Sequence, residues 1–371
     1  MILTLIIAFL SLIALMVIHE FGHFVIAKKF GVKVEEFGIG YPPRLFGKQF
    51  GDTFYSINLV PLGAFVKIYG EEGGVDDLKS FANLAMAKRM LIVLGGVLAF
   101  WVASMIIFSV VFLIGARIPV GDTDVAGVTD TSVQIMAVQK GSPAEIAGLK
   151  AGDAISSVQN QHQNIVVNKI ADFQKVIQDN KGKSLIVTVH RGGQDVFLPL
   201  TPRVEYPDTE GPTGVVLERV ANVIEKARFY EAPVKGVLYT GQVTWQALQG
   251  IYGVVANLFS GRGVPSGAEL AGPVGITIFL ARAVDYGPGF FLYFIGSISV
   301  LIAIFNLFPI PALDGGKLLF LIIEWARKKP VSVKVEQSLT IIFFILLITM
   351  SIFVTIKFDI PRVMEFWKAG L

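Results

Sequence analysis

The stretch "MILTLIIAFLSLIALMVIHEFGHFVIAKK", residues 1–29, carries no charge from residue 2 through residue 18 and then presents His19, Glu20 and His23. A hydrocarbon core of roughly 30 Å takes about 20 helical residues to cross, so this stretch reads as a membrane span. Residues 90–116, 286–313 and 337–356 are equally free of charge. The whole chain of 371 residues is 53% hydrophobic and 16% charged, far from a soluble composition. A secretory signal peptide is the rival reading of residues 1–29, but they lack the basic leading region and the small-residue cleavage site that one needs.

Orientation follows from the basic residues. Lys28, Lys29 and Lys33 follow the first span, Lys88 and Arg89 precede the second, and Arg327, Lys328 and Lys329 separate the third from the fourth. These flanks are expected on the cytoplasmic side, which puts both termini and the long segment between the second and third spans outside. The organisation expected is a first span over 1–30, a cytoplasmic-side membrane-associated β region over 31–89 and a second span over 90–116. An extracytoplasmic α+β domain follows over 117–220, then an amphipathic linker over 221–285 and a third span over 286–325. A loop over 326–336 and a fourth span with its tail over 337–371 complete the chain.

Net charge is only +3, with no block of lysine or arginine, which argues against nucleic acid as a partner. There is no cysteine, so disulfides, thiolate ligands and a cysteine nucleophile are all excluded. Any metal must be held by nitrogen and oxygen.

Within the β region, Phe54, Ser56, Asn58 and Val60 would share one strand face, and "GAFVKIYG" (63–70) makes a second strand. In the outer domain Ser142 is a candidate N-cap with Pro143 at the first helical position. Residues 168–180 space Ile170, Phe173, Val176 and Ile177 as one helix face, and a hairpin is expected around Gly192 and Gly193. Trp245, Leu248, Ile251, Tyr252 and Val255 fall at helical spacing on a helix that either packs against the domain or lies in the membrane interface.

"HEFGH" (19–23) matches H-E-x-x-H. Residues four apart stack on one helix face, so His19 and His23 can hold one metal with Glu20 beside it as general base. Zinc takes three protein ligands in a catalytic site and keeps a position open. The two remaining histidines, His162 and His190, belong to the outer domain, so the third ligand is expected to be a carboxylate near a span. In "NLFPIPALDGG" (306–316) two prolines break the third apolar segment and Asp314 follows them. Asp285 and Glu324 bracket the run without breaking it and read as boundary charges. Two imidazoles and one carboxylate favour Zn2+.

These paired motifs, with "PLGAFVK" (61–67), "GSPAEIAGLKAGDAI" (141–155) and "GPVGI" (272–276), resemble the site-2 protease family of intramembrane zinc metalloproteases. The branch of the bacterial regulator of sigma-E protease is nearest, and the resemblance covers nearly the whole chain. It implies a polytopic α-helical membrane protein with four transmembrane helices, a membrane-associated β-sheet and one inserted PDZ-like α+β domain. Members of this branch often carry two PDZ domains where this chain has room for one, and "LGGVLA" (94–99) stands where they have A-G-P-x-x-N.

The resemblance implies a zinc-dependent endopeptidase of the bacterial inner membrane that cuts transmembrane segments of single-span proteins, such as an anti-sigma factor or a remnant signal peptide. Asn306 would either help hold the oxyanion or bond backbone freed by the helix break. A strand edge over 54–69, with Phe65 and Val66, would either receive substrate by β-augmentation or serve as a structural hairpin. Gly214 and Val215 would belong to a peptide-binding loop of a domain that either gates or spaces. A non-catalytic adaptor built on that domain would have no use for Glu20. A zinc transporter would want ligands along a pathway, and the serine and aspartate motifs of other intramembrane proteases are missing. Oligomeric state has no signal in the sequence.

Overall fold

The computed structural model describes residues 2–71, 77–119, 122, 131–160, 163–191, 194–206, 211–224, 226–260, 271–285, 287–361 and 363–364. It divides into two compact units, Met1–Ile114 with Ala227–Ile360, and Gly115–Lys226 with Pro361–Leu371. The first unit opens with α1 (Ile2–Lys29), β1 (Val34–Phe50), β2 (Thr53–Ile68) and α2 (Met86–Ile114). The second holds β3 (Ala116–Pro119), β4 (Thr131–Val138), α3 (Pro143–Ile146), β5 (Ala154–Gln159), β6 (Asn164–Val166), α4 (Ile170–Asp179), β7 (Leu185–Arg191), β8 (Gln194–Leu200) and β9 (Val215–Ile224). The first unit resumes with α5 (Ala232–Phe259), α6 (Pro273–Asp285), α7 (Pro288–Asn306), α8 (Asp314–Arg327) and α9 (Val333–Val354), which runs on into a π-helical turn, Thr355–Asp359.

Four helices are long and apolar enough to cross a membrane: Leu3–Lys29, Met86–Ile114, Pro288–Asn306 and Val333–Asp359. The third is shorter than the apolar run in the sequence. Pro309 lacks an N–H and its ring collides with a preceding helical carbonyl, so α7 stops at Asn306 and residues 307–313 turn before α8 begins.

Small residues bring the helices of the first unit together. A Cβ on Gly22 would lie 2.2 Å from the Gly95 carbonyl oxygen, so the backbones of α1 and α2 touch. Ser299 Oγ donates to the Phe100 carbonyl at 2.9 Å, tying α7 to α2. The linker expected over 221–285 is two helices, and α5 packs on α2 through Gly236 against Met105 and Ser109. Trp245, Leu248, Tyr252 and Val255, the face read from spacing, are exposed instead. Such an exposed apolar face is what a helix lying in the membrane interface presents, while close approach at Gly236 sets the side that packs on α2.

The β1–β2 sheet folds back on itself. Phe37 pairs with both Tyr55 and Val66, Gly38 with both Ser56 and Phe65, while Lys48 pairs with Tyr55. The first half of β1 therefore lies between the two halves of β2, and residues 64–68 form a rim with no strand on their outer side among the described residues. The two strands expected over 54–70 are one strand, Thr53–Ile68. Ser56 and Asn58 are buried while Ile57 and Leu59 are exposed, so the expected alternation holds with polar groups inward. Ser56 Oγ donates to Glu36 Oε1 at 2.6 Å, and Asn58 Nδ2 to the Gly40 carbonyl at 3.1 Å.

The second unit is an α+β fold with sheet order β3-β9-β4-β5-β7-β8 and β6 beside β5. Its core packs Phe173, Val176 and Ile177 of α4 against Val133, Ile155 and Val187 of the sheet. Ser142 caps α3, accepting from the Glu145 amide at 3.2 Å, with Pro143 at the first helical position. Among the described residues β3 pairs with β9 only at Val220, Ala221 and Ile224, and none pairs with the start of that edge. The Gly192–Gly193 turn and His162 lie outside the described residues.

Candidate metal centre

α1 carries His19, Glu20 and His23, and α8 begins at Asp314. His23 Nδ1 stands 2.8 Å from the Ile92 carbonyl oxygen of α2. A carbonyl only accepts, so Nδ1 carries the proton and donates, and Nε2 is left with a bare lone pair. That Nε2 lies 3.3 Å from His19 Nε2 and 3.4 Å from Asp314 Oδ2. His19 Nε2 to Asp314 Oδ2 is 3.5 Å.

Ligand atoms about 2.0–2.1 Å from a tetrahedral centre stand roughly 3.3–3.4 Å apart, so the three atoms match one face of a zinc tetrahedron. Asp314 Oδ2 is buried and has no hydrogen-bond partner, as is true of His19 Nδ1. A buried carboxylate oxygen facing imidazole lone pairs is unfavourable until a cation stands among them. The donor set therefore fits zinc.

Glycines make the convergence possible. A Cβ on Gly96 would lie 2.3 Å from His19 Cε1 and 2.4 Å from His23 Nε2. Cβ atoms on Gly315 and Gly316 would each lie 2.2 Å from a backbone oxygen, that of Phe308 or that of Ile310, so the first turn of α8 lies directly on the proline-containing bend. The His19 ring stacks on Phe100 with centroids 4.8 Å apart.

The chain similarity agrees with this chemistry. A sequence model of peptidase family M50 matches residues 7–350. The chain belongs to peptidase family M50, the site-2 proteases. A Clostridium perfringens protein named as a zinc metalloprotease is 29% identical over 353 residues, which is 94% of this chain and 96% of that protein. One of the same description from Clostridium acetobutylicum is 30% identical over 355 residues, 95% and 96% of the two chains. The regulator of sigma-E protease RseP of Salmonella typhimurium is 28% identical over 420 residues, 88% and 92% of the two. As an M50 peptidase the chain is a zinc metalloendopeptidase, and its apolar helices make it a membrane protein.

The other sequence-predicted residues are distributed unevenly. Phe65 and Val66 line a cavity of about 210 Å³ together with His19, Glu20, His23 and Asp314. Asn306 ends α7, donates its amide to its own helix at Ile302 O, 3.0 Å, and is not a lining residue of that cavity. Glu324 pairs with Arg89 at 2.7 Å, and the Asp285 side chain lies outside the described residues. Val215 lines a groove of about 580 Å³ in the second unit with Phe173, Gln174 and Ile177 of α4. Gly214 has φ +73 and lies so close to Ser142 that a Cβ would be 2.3 Å away.

Sequence reasoning missed Tyr41, Glu71 and Lys317, which line the metal-side cavity as well. Lys317 is legible afterwards: it stands three residues past Asp314 on the same face of α8. Its ammonium donates to Glu71 Oε1.

The Gly96 contact yields a direct check. Gly96→Ala is expected to displace both imidazoles and to weaken zinc affinity by about tenfold or more, the range seen when groups that orient metal ligands are changed. Metal content after dialysis against a competing chelator reads this, and unchanged retention would contradict the packing described.

Proposed function

We propose that the chain is an intramembrane endopeptidase of the bacterial inner membrane that cleaves transmembrane segments of single-span proteins, with His19, His23 and Asp314 holding the zinc. The observation that carries this reading is the convergence of the three donor atoms within 3.3–3.5 Å, next to Glu20 and a free strand rim. Zinc held there supplies Lewis acidity, making water acidic enough to lose a proton near neutral pH and polarising a carbonyl. Glu20 takes the proton of the attacking water and delivers it to the leaving amide nitrogen.

A helical substrate hides its carbonyls in its own hydrogen bonds, so cleavage needs an extended stretch. The rim at residues 64–68 offers unpaired backbone groups beside the cavity, and a substrate strand added there exchanges helical hydrogen bonds for ladder ones. Phe65 and Val66 then fix backbone position while tolerating many side chains. Basic residues flanking the spans favour a cytoplasmic β-sheet, with both termini and the second unit extracytoplasmic. We read the second unit as one PDZ-like domain, in which Gly214 and Val215 begin an open β9 edge facing α4. Such a groove suits the tail of a substrate, and the domain acts as a gate. An anti-sigma factor and a remnant signal peptide both have the single-span form this reading requires.

A non-catalytic adaptor is separated from the enzyme by one substitution. Glu20→Gln is expected to abolish cleavage of a reconstituted single-span substrate, by at least about 100-fold, while zinc stays bound; cleavage at the wild-type rate would leave the adaptor standing. Val66→Pro removes a rim N–H and should impair cleavage without releasing zinc, so normal turnover in that variant would remove the strand-addition step. Deleting residues 121–217 should let untrimmed substrates be cut. Selection unaltered by the deletion would make the domain a spacer.

A further inference from the structure

Hydrolysis of an amide places negative charge on the carbonyl oxygen, and a hydrogen-bond donor preorganised for that charge usually supplies a large share of the rate. The sequence offered Asn306, but it donates one amide proton to Ile302 O at 3.0 Å and does not line the cavity that holds His19, Glu20 and Asp314. Two other side chains lining the cavity have protons to give and are not candidate metal ligands, Lys317 and Tyr41. Lys317 is engaged by Glu71. The Tyr41 hydroxyl has no hydrogen-bond partner among the described residues.

The ring of Tyr41, a residue 46% exposed, has one face covered. It stacks on Phe65 of the rim strand, centroids 6.1 Å apart and planes at 20°. It also packs over Gly63, where a Cβ would lie 3.4 Å from Tyr41 Cε2 and equally 3.4 Å from Met16 Sδ. Met16 precedes Glu20 by four residues, one turn along the same face of α1. Tyr41 thus lies beside the helix face that carries Glu20, and both side chains line the same cavity. Burial first, and Glu20 second, push the phenol above its ordinary range, so it keeps its proton at neutral pH.

We propose that Tyr41 is a further catalytic residue, its hydroxyl donating a hydrogen bond to the scissile carbonyl oxygen as that oxygen becomes an oxyanion. The assignment rests on the reading in which Glu20 moves the proton and His19, His23 and Asp314 hold the metal. Water oxygen bonds to the carbonyl carbon, the π pair moves onto the carbonyl oxygen, and Glu20 takes the water proton. On collapse the C=O bond re-forms, the C–N bond breaks, and Glu20 passes the proton to nitrogen. Tyr41 keeps its own proton throughout. Its stacking partner Phe65 lies in the strand that would hold the substrate backbone, so the hydroxyl and the carbonyl are positioned by the same element.

The test compares wild type, Glu20→Gln and Tyr41→Phe, reconstituted with a single-span reporter protein carrying helix-breaking residues in its span. Phenylalanine keeps the stack and removes only the hydroxyl. Tyr41→Phe is expected to lower kcat by about 100-fold, the cost of one such donor, with KM nearly unchanged and zinc retained. Binding of a phosphinate peptide, with tetrahedral phosphorus replacing the carbonyl of the mapped cleavage site, should weaken by a similar factor. A kcat close to wild type, or equal weakening of substrate and phosphinate, would overturn the assignment. If Glu20→Gln cleaves normally, the underlying reading fails instead.

Discussion

The constraint on which the first unit depends is the burial of a carboxylate oxygen between two imidazole nitrogens at the end of an apolar helix. Asp314 Oδ2 faces His19 and His23 at 3.5 and 3.4 Å without a proton donor of its own. Without a cation this arrangement is repulsive and poorly solvated, and with one it is a tight site. The close contacts around it serve the same end. Gly22 and Gly95 let α1 and α2 touch, Gly96 clears the space the rings occupy, and Gly315 with Gly316 seat α8 on the bend after α7. A side chain at Gly96 would meet both imidazole rings, and one at each of the other four positions would meet the backbone packed against it.

Polar groups elsewhere in the helices are committed to the fold. Ser104 Oγ donates to the Phe100 carbonyl at 2.9 Å, Thr240 to the Gly236 carbonyl at 2.8 Å, and Ser11 to the Ile7 carbonyl at 2.7 Å. Asp359, fully buried in the π-helical turn, accepts from the Gly272 amide at 3.0 Å, at the start of α6. Cβ atoms on Gly272 and Gly275 would lie 2.5 and 2.4 Å from that carboxylate, which explains the glycines of "GPVGI". An anion at a helix N-terminus is favourable on its own, so the Asp359 carboxylate ties the π-helical turn to α6.

Legibility in the sequence follows the range of the forces involved. The spans and the H-E-x-x-H pair depend on residues at most a turn apart along one helix, and pattern alone exposes them. Asp314 was reachable because prolines in an apolar run have few other uses. Spacing on α5 left packing and an interfacial lie both open, and the side that meets α2 is set by Gly236, a contact between distant stretches that no periodicity shows. For Asn306 the motif left an oxyanion role and a backbone bond both open, and its amide donates to the Ile302 carbonyl four residues back. Tyr41 gave no signal at all: its position beside Glu20 arises only when the rim strand carries Phe65 under its ring, a contact between distant stretches.

The sheet reverses the usual logic of a half-buried strand, and the reversal has a use. Tyr55, Ile57 and Leu59 point outward while Ser56 and Asn58 point in, so apolar surface is free for lipid or substrate and the inward hydrogen bonds stiffen the backbone. A stiff rim matters because an added substrate strand gains only ladder hydrogen bonds, each worth about 1 kcal/mol net. Those bonds must offset the ordering of the substrate strand, and a mobile rim would add its own ordering cost. Gly63 brings the start of the rim close to Met16 of α1 and to Tyr41, so the strand proposed to receive substrate runs beside the helix that carries Glu20. On the reading proposed above, recognition by backbone at the rim would leave side-chain selection to the groove that Val215 lines with α4.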